Sequence, residues 1–360
     1  MVEMDKIIND AVKSISNLDS KRQALAQRIL PLNTQTYPTL PEQKLIIPVE
    51  KATLNGTIAG VDSGFVGKNL FALDLILIRT VSAIFTYNDN KLSKAEYLPN
   101  FFSFPEPHLS NNSLEKHEFE TSKSLKRLIE EVNLSKRTIL EKNPEFLFID
   151  GSIIPQHQDK PRKDSKIKSH YHELLETFQD FYDTAEKNQC ELISCVEDSR
   201  GSRFRTLLQE KILPEEIAML PELDNCFDSV LLDYLLKKGE RCSAFTYTKS
   251  IKDHPILMDY ENKWAEKVHA FYLKPAEFDR PLRVEFLSNG NIPKQASRIA
   301  EVVYAQSSMH REYAYPTVLI EADMRARLKP DEISIVYNKI LDKLSKGFKI
   351  KLRRDNRPFK

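Results

Sequence analysis

The chain has 360 residues, 41% apolar and 29% charged, and its 53 basic and 52 acidic residues leave a net charge of +1. That length buries a large core in roughly two to three domains, and the charge balance excludes a histone-like polybasic binder while leaving room for a local basic groove. Cys190, Cys195, Cys226 and Cys242 form no C-x-x-C pair, which excludes a structural zinc and a disulfide framework and points to reduced thiols in an intracellular protein.

Met1 to Ile29 is charged throughout and has no signal-peptide apolar block, and its apolar positions Ile7, Ile8, Val12, Ile15, Leu18, Ala24 and Ile29 suit an amphipathic helix broken near Asn17-Leu18-Asp19. No stretch approaches the roughly 18 apolar residues of a membrane span, so a cytoplasmic, nucleoid-associated protein is expected. Residues 30–56, rich in Pro and Thr, read as an extended arm. A strand at about 57–63 and an apolar run at 70–86 follow. The run stops at Asn88-Asp89-Asn90, good hairpin chemistry, and a further strand is expected at 91–98.

From Ser113 to Lys142 the period becomes helical, with Leu125, Leu128, Ile129, Val132, Ile139 and Leu140 on one side. Asn143-Pro144 ends it before a strand at 145–150. A helix at 169–187 leads into a strand from Leu192 to Val196. Residues 205–240 are mixed, with a helical Asp228–Lys238. Strands are expected at 243–248, 267–273 and 282–287, and helices at 292–307, about 316–327 and 331–346. Strands interleaved with helices in this order make a mixed α/β fold, and an acidic strand, a hairpin, a long helix and a second acidic strand form the ribonuclease-H-like order.

Chemistry gathers at a few of these points. Gly60-Val61-Asp62-Ser63-Gly64 and Phe148-Ile149-Asp150-Gly151-Ser152 each close an apolar strand on an aspartate followed by turn residues. Two carboxylates fixed by neighbouring strands tolerate each other best with a cation between them. The helix between them offers Glu130 and Glu131 as a third oxygen ligand, and spacing does not choose among these and its other acids, Glu115, Glu118, Glu120 and Glu141. After another apolar strand, Glu197-Asp198-Ser199-Arg200-Gly201-Ser202-Arg203 brings Arg200, Arg203 and Arg205 to a loop suited to gripping phosphate, or to a surface ion-pair turn. The basic loop with Lys160, Arg162, Lys163, Lys166 and Lys168 suits a nucleic-acid backbone, and the tail from Lys346 is basic as well. In Tyr315-Pro316 to Arg327, Pro316 opens a helix. Asp323 shares its face with Leu319 and needs a cation or Arg327 as partner if buried.

Other motifs fail. Gly64-Phe65-Val66-Gly67-Lys68-Asn69 lacks the first glycine and the Ser/Thr of a phosphate-binding loop. His170 and His172 face different sides of a helix, and there is no G-x-S-x-G elbow.

Taken together, these motifs resemble the NurA family of DNA nucleases. The resemblance rests on Gly-Val-Asp62-Ser-Gly, the helix glutamate, Phe-Ile-Asp150-Gly-Ser, the Ser199-Arg200 loop and Tyr315-Pro316 with Ala322-Asp323, over about residues 55–330. It implies a ribonuclease-H-like mixed sheet flanked by helices, with N-terminal and inserted helical regions. A helical arm would span 1–50, the nuclease domain 51–330 with a helical insertion at about 205–240, and a C-terminal helix and basic tail 331–360. It implies hydrolysis of single-stranded DNA, and of double-stranded DNA from 5′ ends, with Mn²⁺ or Mg²⁺ in a two-metal site. It further implies a homodimer acting with a HerA-type hexameric ATPase in DNA end resection and break repair.

By the same resemblance Asp62, Glu131, Asp150 and Asp323 are metal ligands, with Glu130 the alternative to Glu131. Tyr315 completes the catalytic set, and the Ser-Arg loop matches at Arg200; from their own chemistry Arg200, Arg203, Arg205 and Lys163 are expected to contact DNA. Asp323 stands where the family often has histidine, and Glu197 and Asp198 stand where a lysine commonly precedes the Ser-Arg pair. Oxygen suits hard Mg²⁺ or Mn²⁺, so ligation by Asp323 is chemically sound. The rival readings are a non-catalytic DNA- or motor-binding subunit that keeps the fold, and an RNA-directed nuclease. The N-terminal helix and residues 205–240, amphipathic and outside the motif-bearing core, are expected to make dimer or motor contacts.

Overall fold

Local chemistry sets the elements of the computed structural model, which describes residues 2–344 apart from 72, 111–113 and 225. The basic tail expected from Lys346 lies outside the described residues. Helix α1 (Val2–Ile29) leads through a 3₁₀ turn (Leu30–Thr34) to a short strand β1 (Ile46–Pro48). Strands β2 (Gly56–Asn69), β3 (Asp74–Asn88), β4 (Lys91–Leu98) and β5 (Glu106–Ser110) precede helix α2 (Lys116–Lys142), strand β6 (Phe146–Asp150), helix α3 (Lys168–Lys187) and strand β7 (Glu191–Val196). Helices α4 (Arg203–Lys211), α5 (Glu215–Ala218), α6 (Pro221–Asp224) and α7 (Asp228–Leu235) occupy the mixed region. Strands β8 (Glu240–Cys242) and β9 (Phe245–Thr246), helix α8 (Asn262–Ala265), strands β10 (Val268–Lys274) and β11 (Leu282–Leu287), and helices α9 (Ile292–Ser307), α10 (Thr317–Ala326) and α11 (Pro330–Lys343) complete the chain. The fold is mixed α/β, as the alternation of periods implies.

Two compact units divide these elements. One comprises residues 54–194, 252–265 and 317–360, and the other residues 1–53, 195–251 and 266–316. In the first, β6, β2, β3 and β4 are successive neighbours, and β5 also pairs with β3. Asp89 and Asn90, both at positive φ, make the β3–β4 hairpin turn. Pairing of β2 with β3 is antiparallel and unbroken from Gly56↔Tyr87 to Asn69↔Asp74. Asp62 therefore lies in mid-strand, and the turn expected after it does not form: the long β3 partner carries β2 onward to Asn69. At Asp150 the turn does form, with Gly151 at φ +80.

Helix α2 buries Phe119, Leu125, Ile129, Val132 and Ile139, while Leu140, expected on that face, is exposed. It packs on β2, β3 and α3, and α10 packs on β2 and β3. Gly60 and Gly64 explain how closely α10 lies. A Cβ at Gly60 would fall 2.9 Å from the Val318 backbone, and one at Gly64 2.3 Å from the Ala326 carbonyl oxygen. These glycines, which look like turn residues, are clearance for a helix.

In the other unit β1, β8, β10 and β11 are neighbours and pair antiparallel, β9 also pairs with β10, and α9 packs on β10. The extended arm is fixed by Glu42, whose carboxylate takes two bonds from the buried Arg241 guanidinium and one from the Ala244 N–H at 2.8 Å. Helix α1 runs unbroken through Asn17-Leu18-Asp19. Asp19 accepts from Gln23 one turn on and from the Tyr234 hydroxyl, so its side chain supports the helix instead of capping a new one. The four cysteines are free and buried. Among the described residues no helix is long and apolar enough to cross a membrane.

The clearance at Gly64 makes a prediction. Gly64→Ala has no room beside the Ala326 carbonyl, so α10 must shift; urea unfolding should report a loss of about 1–3 kcal/mol.

Candidate active site

The register of β2 on β6 builds the centre of the site. The strands run parallel, with Gly60↔Phe148 and Val61↔Ile149 paired. The next residues, Asp62 and Asp150, stand side by side with their side chains on the same face. Gly60 and Gly64, two residues either side of Asp62, face α10, so Asp62 faces α10 as well. Ser63 points the other way, to α2, where its hydroxyl donates to Glu131 Oε2. Arg127, one helical turn before Glu131, donates from Nη1 to the same carboxylate oxygen at 2.9 Å and to Ser63 Oγ at 3.1 Å. Asp62 is 6% and Glu131 1% exposed. Burial thus separates the neighbouring glutamates: Glu131 is enclosed at the site, while Glu130 is only half-buried.

Asp323, on α10, is exposed, not on the buried face expected for it. That face belongs to Leu319, Ala322 and Ala326. Its charge nevertheless reaches Asp62. Burial, the Glu131 and Asp150 carboxylates and, more weakly, Asp323 push the Asp62 carboxyl up to about 8 against a donation from the Ser63 N–H. Burial also raises Glu131 to about 7, opposed by Arg127 and the Ser63 hydroxyl and reinforced by Asp150. All four acids lie in one unit and two of them strongly disfavour ionisation, the expected state of clustered carboxylates without a counter-cation. Among the described residues no three Asp, Glu, His or Cys side chains are drawn together as a closed metal cage. Glu131 is instead turned to Arg127 and Ser63. The donor set is all oxygen, which fits a hard divalent ion such as Mn²⁺ or Mg²⁺.

The remaining predicted residues are spread wider. Tyr315 is buried in the other unit, its hydroxyl donating to the Cys195 carbonyl at 2.9 Å. Arg200 is exposed on its loop. Arg203 reaches Thr246 Oγ1 at 3.4 Å, and its Nε and Nη1 are buried without a hydrogen-bond partner. Arg205 is largely structural, its Nη1 donating to the Leu223 and Asp224 carbonyls at 2.7 and 2.5 Å. Lys163 is exposed in the first unit.

With this geometry in place, comparison with known proteins is decisive. A family model described as the NurA domain matches residues 56–328. The chain belongs to the NurA family. Its fold is similar to that of the NurA nuclease from Sulfolobus solfataricus, at 16% identity and a TM-score of 0.59, covering 95% of this chain and 98% of that one. A NurA structure bound to dAMP and manganese matches at 12% identity and a TM-score of 0.52, covering 96% and 98%. No curated protein sequence matches.

Sequence reasoning missed two residues that bond to Glu131. Arg127 was detectable, because it lies four residues before Glu131 and carries the opposite charge. Ser63 was hidden inside a motif that reads as a turn.

Crowding of buried carboxylates destabilises the metal-free protein, and the cost depends on pH. Unfolded, Asp62 ionises near its ordinary 3.8; folded, near 8. The stability supplied by its neutral form is complete below the first value and lost as pH rises through the second. Asp62→Asn in EDTA should therefore raise Tm by about 3 °C or more near pH 8.5 and leave it nearly unchanged near pH 4, measured by scanning calorimetry.

Proposed function

We propose that this chain is a metal-dependent deoxyribonuclease that hydrolyses phosphodiester bonds at the Asp62, Glu131, Asp150 and Asp323 site. The observation that carries the reading is the pair of raised, buried carboxyls on α2 and β2 beside Asp150, in a chain of the NurA family. Asp62 and Asp150 would hold the ions, Mn²⁺ or Mg²⁺, with Glu131 and Asp323 completing the oxygen set. Bound there, such ions activate water and offset charge on the leaving oxygen, in the manner of two-metal phosphoryl-transfer sites.

The chain's own groups do the rest. Arg127 and the Ser63 hydroxyl hold Glu131 in place and favour its anionic form against the opposing effect of burial. Burial around Asp62 strengthens every charge interaction there. Arg200 and Lys163, both exposed, would contact the phosphate backbone. Tyr315 would act as a positioning residue through its bond to Cys195.

Family membership supports action on single-stranded DNA and on duplex from 5′ ends. It also supports a homodimer working with a HerA-type hexameric ATPase in end resection and break repair. The exposed Ile7, Ile8, Val12, Ile15 and Leu18 of α1 are consistent with such a contact surface. A dAMP and manganese complex of a NurA protein of the same fold supports the nucleotide and metal chemistry.

The test is end-labelled single- and double-stranded DNA incubated with the wild type in Mn²⁺, Mg²⁺ or EDTA. Cleavage should require a divalent ion, and Asp62→Ala and Asp150→Ala should each slow it about a thousandfold while remaining folded. A wild type that binds DNA but does not cut it with any metal would make the protein a non-catalytic subunit. Preference for RNA would move the substrate class.

A further inference from the structure

The segment after β4 carries three phenylalanines in four positions, and none of them is in the core. Phe101 is 43%, Phe102 79% and Phe104 92% exposed. Burying such rings is worth more than burying almost any other side chain, so leaving them in water requires a reason. Phe101 and Phe102 are also held in place. Tyr97 meets Phe101 edge-on at 5.0 Å, and Phe101 meets Phe102 edge-on at 4.6 Å. The Arg325 guanidinium lies over Phe101 at 3.8 Å and over Tyr97 at 5.3 Å. Glu321 fixes Arg325 from the same helix at 2.8 Å and accepts the Tyr97 hydroxyl at 2.8 Å. Phe102, 79% exposed, keeps ring surface open to solvent, and the planar cation beside Phe101 adds one more stacking surface.

Position ties this cluster to the candidate site. Arg325 and Asp323 are two residues apart on α10 and so lie on opposite flanks of its outward surface, with Met324, 65% exposed, between them. The carboxylates alone repel a polyanion, and Arg127 is committed to Glu131, so a substrate strand needs a holding surface elsewhere in the unit.

We propose that Tyr97, Phe101, Phe102 and Arg325 form a stacking platform for the unpaired bases of a DNA strand whose backbone crosses α10 to the carboxylates. The inference rests on the nuclease reading and gives its substrate a physical requirement: bases must be out of the duplex to stack. Flat π faces accept any base, so the platform is indifferent to sequence.

Its test is made in EDTA, where no hydrolysis is needed, by fluorescence anisotropy with a labelled single strand of about fifteen thymidylates. Phe101→Ala/Phe102→Ala should raise Kd about tenfold or more, while Phe101→Tyr/Phe102→Tyr restores wild-type binding. An abasic strand of equal length should bind both proteins alike. Phe102→Ala alone, at a position too exposed to affect folding, should show part of the loss. Unchanged binding by the double alanine variant would overturn the proposal. So would an equal loss on the abasic strand, or a change in the sedimentation of the protein alone, which would make the patch a contact between copies. Because binding is read without turnover, failed cleavage would sink the nuclease reading alone, and unchanged binding with intact cleavage would sink the platform alone.

Discussion

Everything at the site follows from one register: Val61 opposite Ile149 in a parallel strand pair. That pairing sets Asp62 and Asp150 side by side at the point where β6 stops and the chain turns at Gly151. The sheet supplies the rigidity, and the two helices packed on β2 supply the enclosure. Two carboxylates in that position repel each other, and burial makes Asp62 harder to ionise. The protein relieves this only in part: Arg127 and the Ser63 hydroxyl serve Glu131, and the Ser63 N–H serves Asp62.

The two faces of β2 have different tasks. Its even positions meet α10, and Gly60 and Gly64 exist to let that helix lie close, which brings the charge of Asp323 within reach of Asp62. Odd positions meet α2, where Ser63 links the strand to Glu131. Approach from both faces explains why the acids interact electrostatically while Glu131 remains bonded to Arg127. Completing an oxygen cage would require Glu131 to loosen from Arg127, and a divalent ion supplies the compensating charge.

Most of the element order was legible in the sequence, because strands and helices with one buried face carry their period openly. The Asn88-Asp89-Asn90 hairpin and the long α2 are such cases. Asp62 was legible as a candidate but not as a mid-strand residue. Asp-Ser-Gly has turn chemistry, and only the length of β3 and the closeness of α10, both tertiary facts, override it. Glu130 and Glu131 are adjacent, so composition cannot rank them; burial does. Asp323 was placed on the buried face through its spacing from Leu319. Ala322 and Ala326 instead turn α10 so that Asp323 lies at the flank of the interface.

The central claim is that Asp62 and Asp150 jointly hold a divalent ion which the crowded carboxylates need. It is tested most directly by calorimetric titration of Mn²⁺ into the intact protein near pH 7, in buffers of different ionisation heat. Because Asp62 is held protonated up to about 8, the ion must displace a proton. Wild-type binding should therefore release protons to the buffer and be lost in Asp62→Asn/Asp150→Asn. Undiminished Mn²⁺ binding by that double variant would contradict the account.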